Sequence, residues 1–215
     1  MASRHSYGDH PSQFGELHEG GENVAVLVHG GFWRARYGLD LERELAADLV
    51  ARGWTVWNIE YRRLGDGGGW PQTGADVVAA IDALPFEAAR IVAIGHSAGG
   101  HLATWASAHT PLDGVVSQAG ALDLYELARR GTSDNVVRQL LGGTPDEVPG
   151  HYEAATPRPP AGMPLLLVHG VLDEDVPPEI SRDFGAGEFV VIDDEGHMEH
   201  LDPRSRCWRT VIEWL

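Results

Sequence analysis

Residues 90–103, RIVAIGHSAGGHLA, run from an apolar strand pattern into a small-residue helix pattern across one sharp turn. The run Ile91 to Ile94 suits a strand buried on both faces, and the segment from Ser97 to Thr110 suits a helix. Between them the spacing G-x-S-x-G places Gly95 and Gly99 two residues either side of Ser97. A strand-to-helix turn this tight strains the backbone of the central serine and presses its flanking residues against other main chain, so both must lack bulk. The turn exposes the Ser97 hydroxyl and puts the N–H of Ala98 at a helix N-terminus, where negative charge is favoured. A serine that only caps a helix would occupy the same place. The choice between the two rests on the remainder of the chain.

Outward from this unit the pattern repeats. VAVLVHG (24–30), WTVWNIEY (54–61), GVVSQAG (114–120), PLLLVHG (164–170) and EFVVID (188–193) are short apolar runs of the same kind. Continuous runs, rather than in/out alternation, predict parallel strands covered on both faces. Helices are expected over 39–53, 73–85 and 97–110 and in the C-terminal RSRCWRTVIEWL. This alternation predicts a single α/β domain over residues 1–215, a doubly wound, mostly parallel sheet of about six to seven strands with helices on both faces. QFGELHE adds at most one edge strand, and the residues before Val24 leave no room for a long antiparallel meander. The longest connection, about 121–163, carries two short helical patterns and is expected to form a small cap over one end of the sheet.

The chain has 32 acidic and 16 basic residues, a net charge of −16, which disfavours nucleic acid or an anionic membrane as partner. One cysteine, Cys207, leaves no disulfide framework. No segment has the apolar core of a signal peptide or the length of a membrane span, so a cytoplasmic location is expected. Oligomeric state is not legible.

Ligands of open α/β sheets bind beyond the carboxyl ends of the strands. Four unusual segments follow strand ends: HGGFW (29–33), GHSAGG (95–100), HGVLDEDVP (169–177) and DDEGHMEH (193–200). A serine needs a base, and the chain order serine, acid, histidine selects Asp173 and His197. His197 would accept the Ser97 proton, and Asp173 would fix its tautomer and stabilise the imidazolium. Glu174 and Asp175 compete for the acid's role and His200 for the base's. His96 and His101 are read as packing residues. HMEH sets two histidines three apart, too few ligands for a metal site, so no metal and no cofactor is expected. In HGGFW, glycines let the backbone approach a substrate oxygen, which makes the N–H groups of Gly31, Phe32 and Ala98 the candidate oxyanion hole. Trp33 and Trp70 are candidate substrate contacts. The glycines of EYRRLGDGGGWP (60–71) are not followed by the lysine and serine of a phosphate-binding loop.

Taken together, HGGFW, GHSAGGHLA, HGVLDEDVP and the EGH of residues 195–197 resemble the α/β-hydrolase superfamily, from about residue 24 to the C-terminus. Within it the chain is similar to esterases, arylformamidases (kynurenine formamidase-like) and prolyl-oligopeptidase-like enzymes. The resemblance implies that Asp173 and His197 are the acid and base, and that the HGG segment donates to the oxyanion. It also implies a small-molecule ester or amide substrate. Three functions are carried forward: hydrolysis of small carboxylic esters, hydrolysis of an aryl formamide, and ligand binding on this fold without catalysis.

Overall fold

The computed structural model describes residues 2–215. Its strands are β1 (Ser3–Ser6), β2 (Phe14–His18), β3 (Asn23–Val28), β4 (Thr55–Ile59), β5 (Arg90–His96), β6 (Gly114–Gln118), β7 (Leu165–Gly170) and β8 (Glu188–Ile192). The helices are α1 (Arg43–Ala51), α2 (Gln72–Asp82), α3 (Ala98–Ala106), α4 (Leu124–Arg130), α5 (Thr132–Leu141), α6 (Pro149–Ala155), α7 (Glu179–Arg182) and α8 (Arg206–Trp214). The strands form one sheet in the order β1-β2-β4-β3-β5-β6-β7-β8, antiparallel at β1 and β2 and parallel from β4 onward. This is the α/β-hydrolase fold.

The parallel strands are apolar throughout because both faces are covered, and their alternate residues feed two separate cores. In β3, Val24, Val26 and Val28 pack with α2 and α3 on one face, while Ala25 and Leu27 pack with α1 and α8 on the other. β7 divides the same way, Leu165 and Leu167 against Leu166 and Val168. The two-residue period persists where the sequence shows no polar alternation, because nothing on either side is wet.

The sheet exceeds the expected strand count by one, and the correction lies at the N-terminus. Two antiparallel edge strands fit there, joined in a hairpin, with Ser3 opposite Leu17 and Ser6 opposite Phe14. β1 is exposed along its whole length, so no hydrophobic alternation marks it. It is held by backbone pairing and by the Arg4 guanidinium, 3.3 Å from the centroid of the Phe14 ring.

Between β6 and β7 there are three helices rather than two. α6 begins at Pro149, where a fixed φ and a missing N–H suit the first turn. α5 opens with left-handed φ values at Ser133, Asp134 and Asn135 before its regular turns. No helix among the described residues is long and apolar enough to cross a membrane.

Because β3 leads to β4 on one side and its other neighbour is β5, the chain order reverses between β3 and β5. The loops leaving these two strands are HGGFW and the Ser97 turn, at the place where such sheets open a crevice. On the opposite face, the fully buried Trp208 ties α8 to α1 through its Nε1–H, which donates to Asp48 Oδ2 at 2.7 Å. Trp208→Ala is expected to cost about 3–5 kcal/mol of stability, measured by urea denaturation.

Candidate active site

Ser97 has φ 55° and ψ −118°, a conformation that side chains rarely adopt. It is imposed by packing. A Cβ on Gly95 would lie 2.1 Å from Gly99 O, and one on Gly99 would lie 1.8 Å from Val28 O. The turn is fastened by the Ser97 N–H, which donates to Gln118 O at 2.8 Å. Ser97 stands at the N-cap position of α3, yet its side chain makes no capping hydrogen bond.

The candidate acid and base come from the loops after β7 and β8. His197 Nδ1 lies 2.7 Å from Asp173 Oδ2, and Asp173 Oδ1 accepts from the N–H groups of Asp175 at 2.9 Å and Val176 at 2.8 Å. His197 Nδ1 faces a carboxylate, so it carries the proton, and Nε2 has no protein partner among the described residues. Burial alone would raise the Asp173 pKa. The hydrogen bonds from His169 and His197, the charge of His197 and the Val176 N–H outweigh it and hold the carboxyl well below the usual range.

His169 is a site residue that the motif reading missed. Its Nε2 faces both Asp173 Oδ2 (3.1 Å) and Val176 O (2.8 Å), while Nδ1 lies 2.8 Å from Ser181 Oγ. Two acceptors at Nε2 place the proton there, so Nδ1 accepts from the Ser181 hydroxyl. The signal was present in the sequence as the histidine of the HG pair preceding Asp173.

The two loops are also locked to each other. Leu172 N–H donates to Glu195 O at 2.9 Å, and the Glu195 carboxylate accepts from the N–H groups of Arg206 (2.6 Å) and Cys207 (2.7 Å) in the first turn of α8. The position of His197 is therefore set by a helix end, which favours an acidic partner.

Of the competing residues, Glu174 is exposed. Asp175 borders the cleft, with its N–H given to Asp173. His200 is fully buried, neither ring nitrogen has a partner, and burial first and then the His169 and His197 charges push its pKa down to about 3. His96 donates from Nε2 to His197 O at 2.9 Å and supports that loop from below. Burial and the His197 and His200 charges hold it well below the ordinary histidine value. His101 donates from Nε2 to Ala155 O at 2.9 Å, with burial lowering its pKa to about 4.

The HGGFW loop takes positive φ at Gly31 (104°), Phe32 (57°) and Trp33 (53°). A Cβ on Gly31 would meet Tyr37 Cβ at 2.3 Å. Among the described residues, no protein acceptor receives the N–H of Gly31, Phe32 or Ala98. Behind the loop, the His29 ring bridges Gly30 O (2.7 Å) and Glu60 Oε1 (2.8 Å), and Tyr61 OH donates to His29 O at 2.7 Å. Arg63 pairs with the same Glu60 oxygen. Glu60, Tyr61 and Arg63 are thus a buried brace for HGGFW.

Two cavities meet at Ser97. One, of about 310 Å³, is bordered by Gly31, Tyr37, Leu41, His197 and Met198. The other holds about 10 Å³ of free space and is walled by Trp33, Leu127, Val136, Val137 and Val176. Trp33 therefore stands at the site. Trp70 lines neither cavity, which corrects its reading as a substrate contact. It packs edge-on against Trp105, ring centroids 4.9 Å apart, and against His101 at 6.0 Å, and so belongs to the core. A larger hollow of about 570 Å³ lies between α4 and α7, and none of Ser97, Asp173 or His197 lines it.

An elbow serine between a glycine-rich loop and an acid–histidine pair, at the carboxyl ends of a parallel sheet, is the arrangement of the α/β-hydrolase superfamily. The chain belongs to one of its families, BD-FAE, whose model matches residues 16–186. No curated protein matches the sequence. Among solved structures the chain is similar to a bifunctional GH43-CE protein of Bacteroides eggerthii (TM-score 0.80, 21% identity, 98% of this chain). It spans only 37% of that protein's length. It is also similar to a truncated carbohydrate esterase from gut microbiota (TM-score 0.79, 18% identity, 98% of this chain and 93% of that one). A third is carboxyl esterase 2 of the mycorrhizal fungus Tuber melanosporum (TM-score 0.74, 17% identity, 99% and 84%).

The lowered pKa of Asp173 links this site to stability. A carboxyl whose folded pKa lies below its unfolded value, near 3.8, stabilises the fold at higher pH and loses that contribution as pH falls through the folded value. Urea midpoints taken from about pH 5 down to about pH 2 should therefore fall more steeply for the wild type than for Asp173→Asn.

Proposed function

We propose that the protein is a serine hydrolase that cleaves small carboxylic esters by acyl transfer. The observation that carries this reading is the 2.7 Å Asp173–His197 pair, with His197 bordering the same cavity as a Ser97 held in the strained elbow conformation. A serine placed only to cap α3 would bond the helix N–H groups, and this one does not.

In the first step His197 Nε2 takes the Ser97 proton while Oγ attacks the ester carbonyl. The tetrahedral intermediate places its negative oxygen among the free N–H groups of Phe32, Gly31 and Ala98. As it collapses, the alkoxide leaves and takes the proton from His197. Water, deprotonated by His197, then attacks the acyl–Ser97 ester, releases the acid and restores the hydroxyl. Asp173 stays ionised throughout, since its lowered pKa keeps it charged at any pH where His197 works as a base. His169 is a positioning residue. By donating to Asp173 Oδ2 it fixes the direction of the carboxylate toward His197.

The second reading, hydrolysis of an aryl formamide, uses the same residues and takes the small, largely apolar cavity beside Ser97 as the place of the formyl group. Turnover of p-nitrophenyl acetate against N-formylkynurenine separates the two. A preference for the ester is expected, and a strong preference for the formamide would overturn the first reading. Ligand binding without catalysis predicts no covalent chemistry at Ser97.

A small fluorophosphonate should label the wild type and leave Ser97→Ala unlabelled, read by intact-protein mass spectrometry. His197→Ala should lower kcat by several orders of magnitude and Glu174→Ala should leave it within about twofold. Equal losses in these two variants would move the acid's assignment away from Asp173.

A further inference from the structure

We infer that Ser181 is a positioning residue for the proposed reaction, acting through His169 to set how firmly Asp173 holds the protonated base. This inference rests on the serine-hydrolase reading above and deepens it. Two imidazoles meet the carboxylate at one oxygen: Asp173 Oδ2 lies 2.7 Å from His197 Nδ1 and 3.1 Å from His169 Nε2. Oδ1 is occupied elsewhere, by the N–H groups of Asp175 and Val176. A hydrogen bond from His169 draws on the same negative charge that would stabilise a His197 imidazolium. It therefore moderates the base as well as aligning the acid.

Ser181 controls whether that bond is made. With the His169 proton on Nδ1, the bare Nε2 would face two acceptors, Asp173 Oδ2 and, at 2.8 Å, Val176 O. The Ser181 hydroxyl, 2.8 Å from Nδ1, supplies that nitrogen with a donor and so keeps the proton on Nε2.

The pair is rigidly held. Ser181 is 1% exposed and sits in α7 beside Ile180, which belongs to the core. His169 is fully buried near the end of β7. Between them, Val176 gives its N–H to Asp173 and accepts from His169 at its carbonyl, and Pro177 and Pro178 restrict φ as the chain turns into α7. The segment from Asp173 to Ser181 thus closes around one imidazole ring. Neither His169 nor Ser181 borders either cavity at Ser97, so any influence on substrate passes through Asp173 and His197.

The other charges around the base are untouched by a change at Ser181. His197 packs against His96 from β5, ring centroids 4.6 Å apart, and lies close enough to His200 for their charges to interact. Glu174, Asp175, Asp194 and Glu199 share the outer hollow that His197 lines. His169 is faced by His200, 6.4 Å away between ring centroids, as well as by Asp173.

The test measures kcat and KM for p-nitrophenyl acetate from about pH 5 to about pH 9 in the wild type and Ser181→Ala. The rate at which a small fluorophosphonate labels Ser97 is followed over the same range, and this profile decides where acetate turnover is too slow to measure. Ser181→Ala should lower kcat roughly 3- to 10-fold with KM unchanged, and should move the acid limb of both profiles upward by about 0.5–1 pH unit. Should Ser181→Ala fail to fold, Ser181→Cys nearly keeps the volume, weakens the donor and should move the limb in the same direction. An acid limb that stays in place when the hydroxyl is removed, whatever the urea midpoint does, overturns the role of Ser181 and leaves the hydrolase reading standing. No turnover and no label at Ser97 in the wild type overturns both.

Discussion

Of the glycines among the described residues, Gly99 is the most tightly enclosed: between the first turn of α3 and the end of β3, a Cβ on it would stand 1.8 Å from Val28 O. Only glycine permits it, and much else depends on it. It presses the helix after Ser97 against the strand that leads into HGGFW, so the serine and the proposed oxyanion loop become neighbours. It also forces Ser97 into a backbone conformation that costs energy, which the core on either side of the sheet must hold in place. A Cβ on Gly95 would stand 2.1 Å from Gly99 O, the same constraint seen from the strand.

With the elbow fixed, the remaining groups are positioned by hydrogen bonds that cross between loops. Leu172 N–H to Glu195 O joins the acid loop to the base loop, and the Glu195 carboxylate anchors both to the start of α8. Glu60 does the equivalent work on the other flank, where it holds His29 and Arg63 behind the oxyanion loop. Each brace uses a carboxylate whose charge is met by donors, and for the buried Glu60 this is the condition for keeping a charge in a poorly hydrated place.

This division explains what could be read from the chain. The parallel strands and the motif residues were legible because a two-face-buried strand must be apolar and an elbow must be flanked by glycine. Ser97, Asp173 and His197 stood out as unusual residues just beyond strand ends. β1 was not legible, since an exposed edge strand held by main-chain bonds leaves no hydrophobic pattern. The braces were hidden for a different reason. Glu60 and Glu195 look like ordinary loop charges until the fold shows which N–H groups they face. Trp70 misled because an indole near a glycine-rich loop reads equally as contact or core, and only its packing on Trp105 decides.

The histidines around the base complete the electrostatic picture. His96 and His200 pack against His197 and His169, their ring centroids 4.6 Å and 6.4 Å away respectively. Were they cationic, they would oppose the imidazolium that His197 would become in the proposed mechanism. Burial prevents this, since it holds His96 well below its ordinary value and His200 at about 3, so both are neutral near neutral pH. Asp173 is pushed the other way and stays anionic. The proposed base therefore sits beside one fixed negative charge and two neutral rings. An arrangement of this kind favours the charge-separated state that acyl transfer passes through.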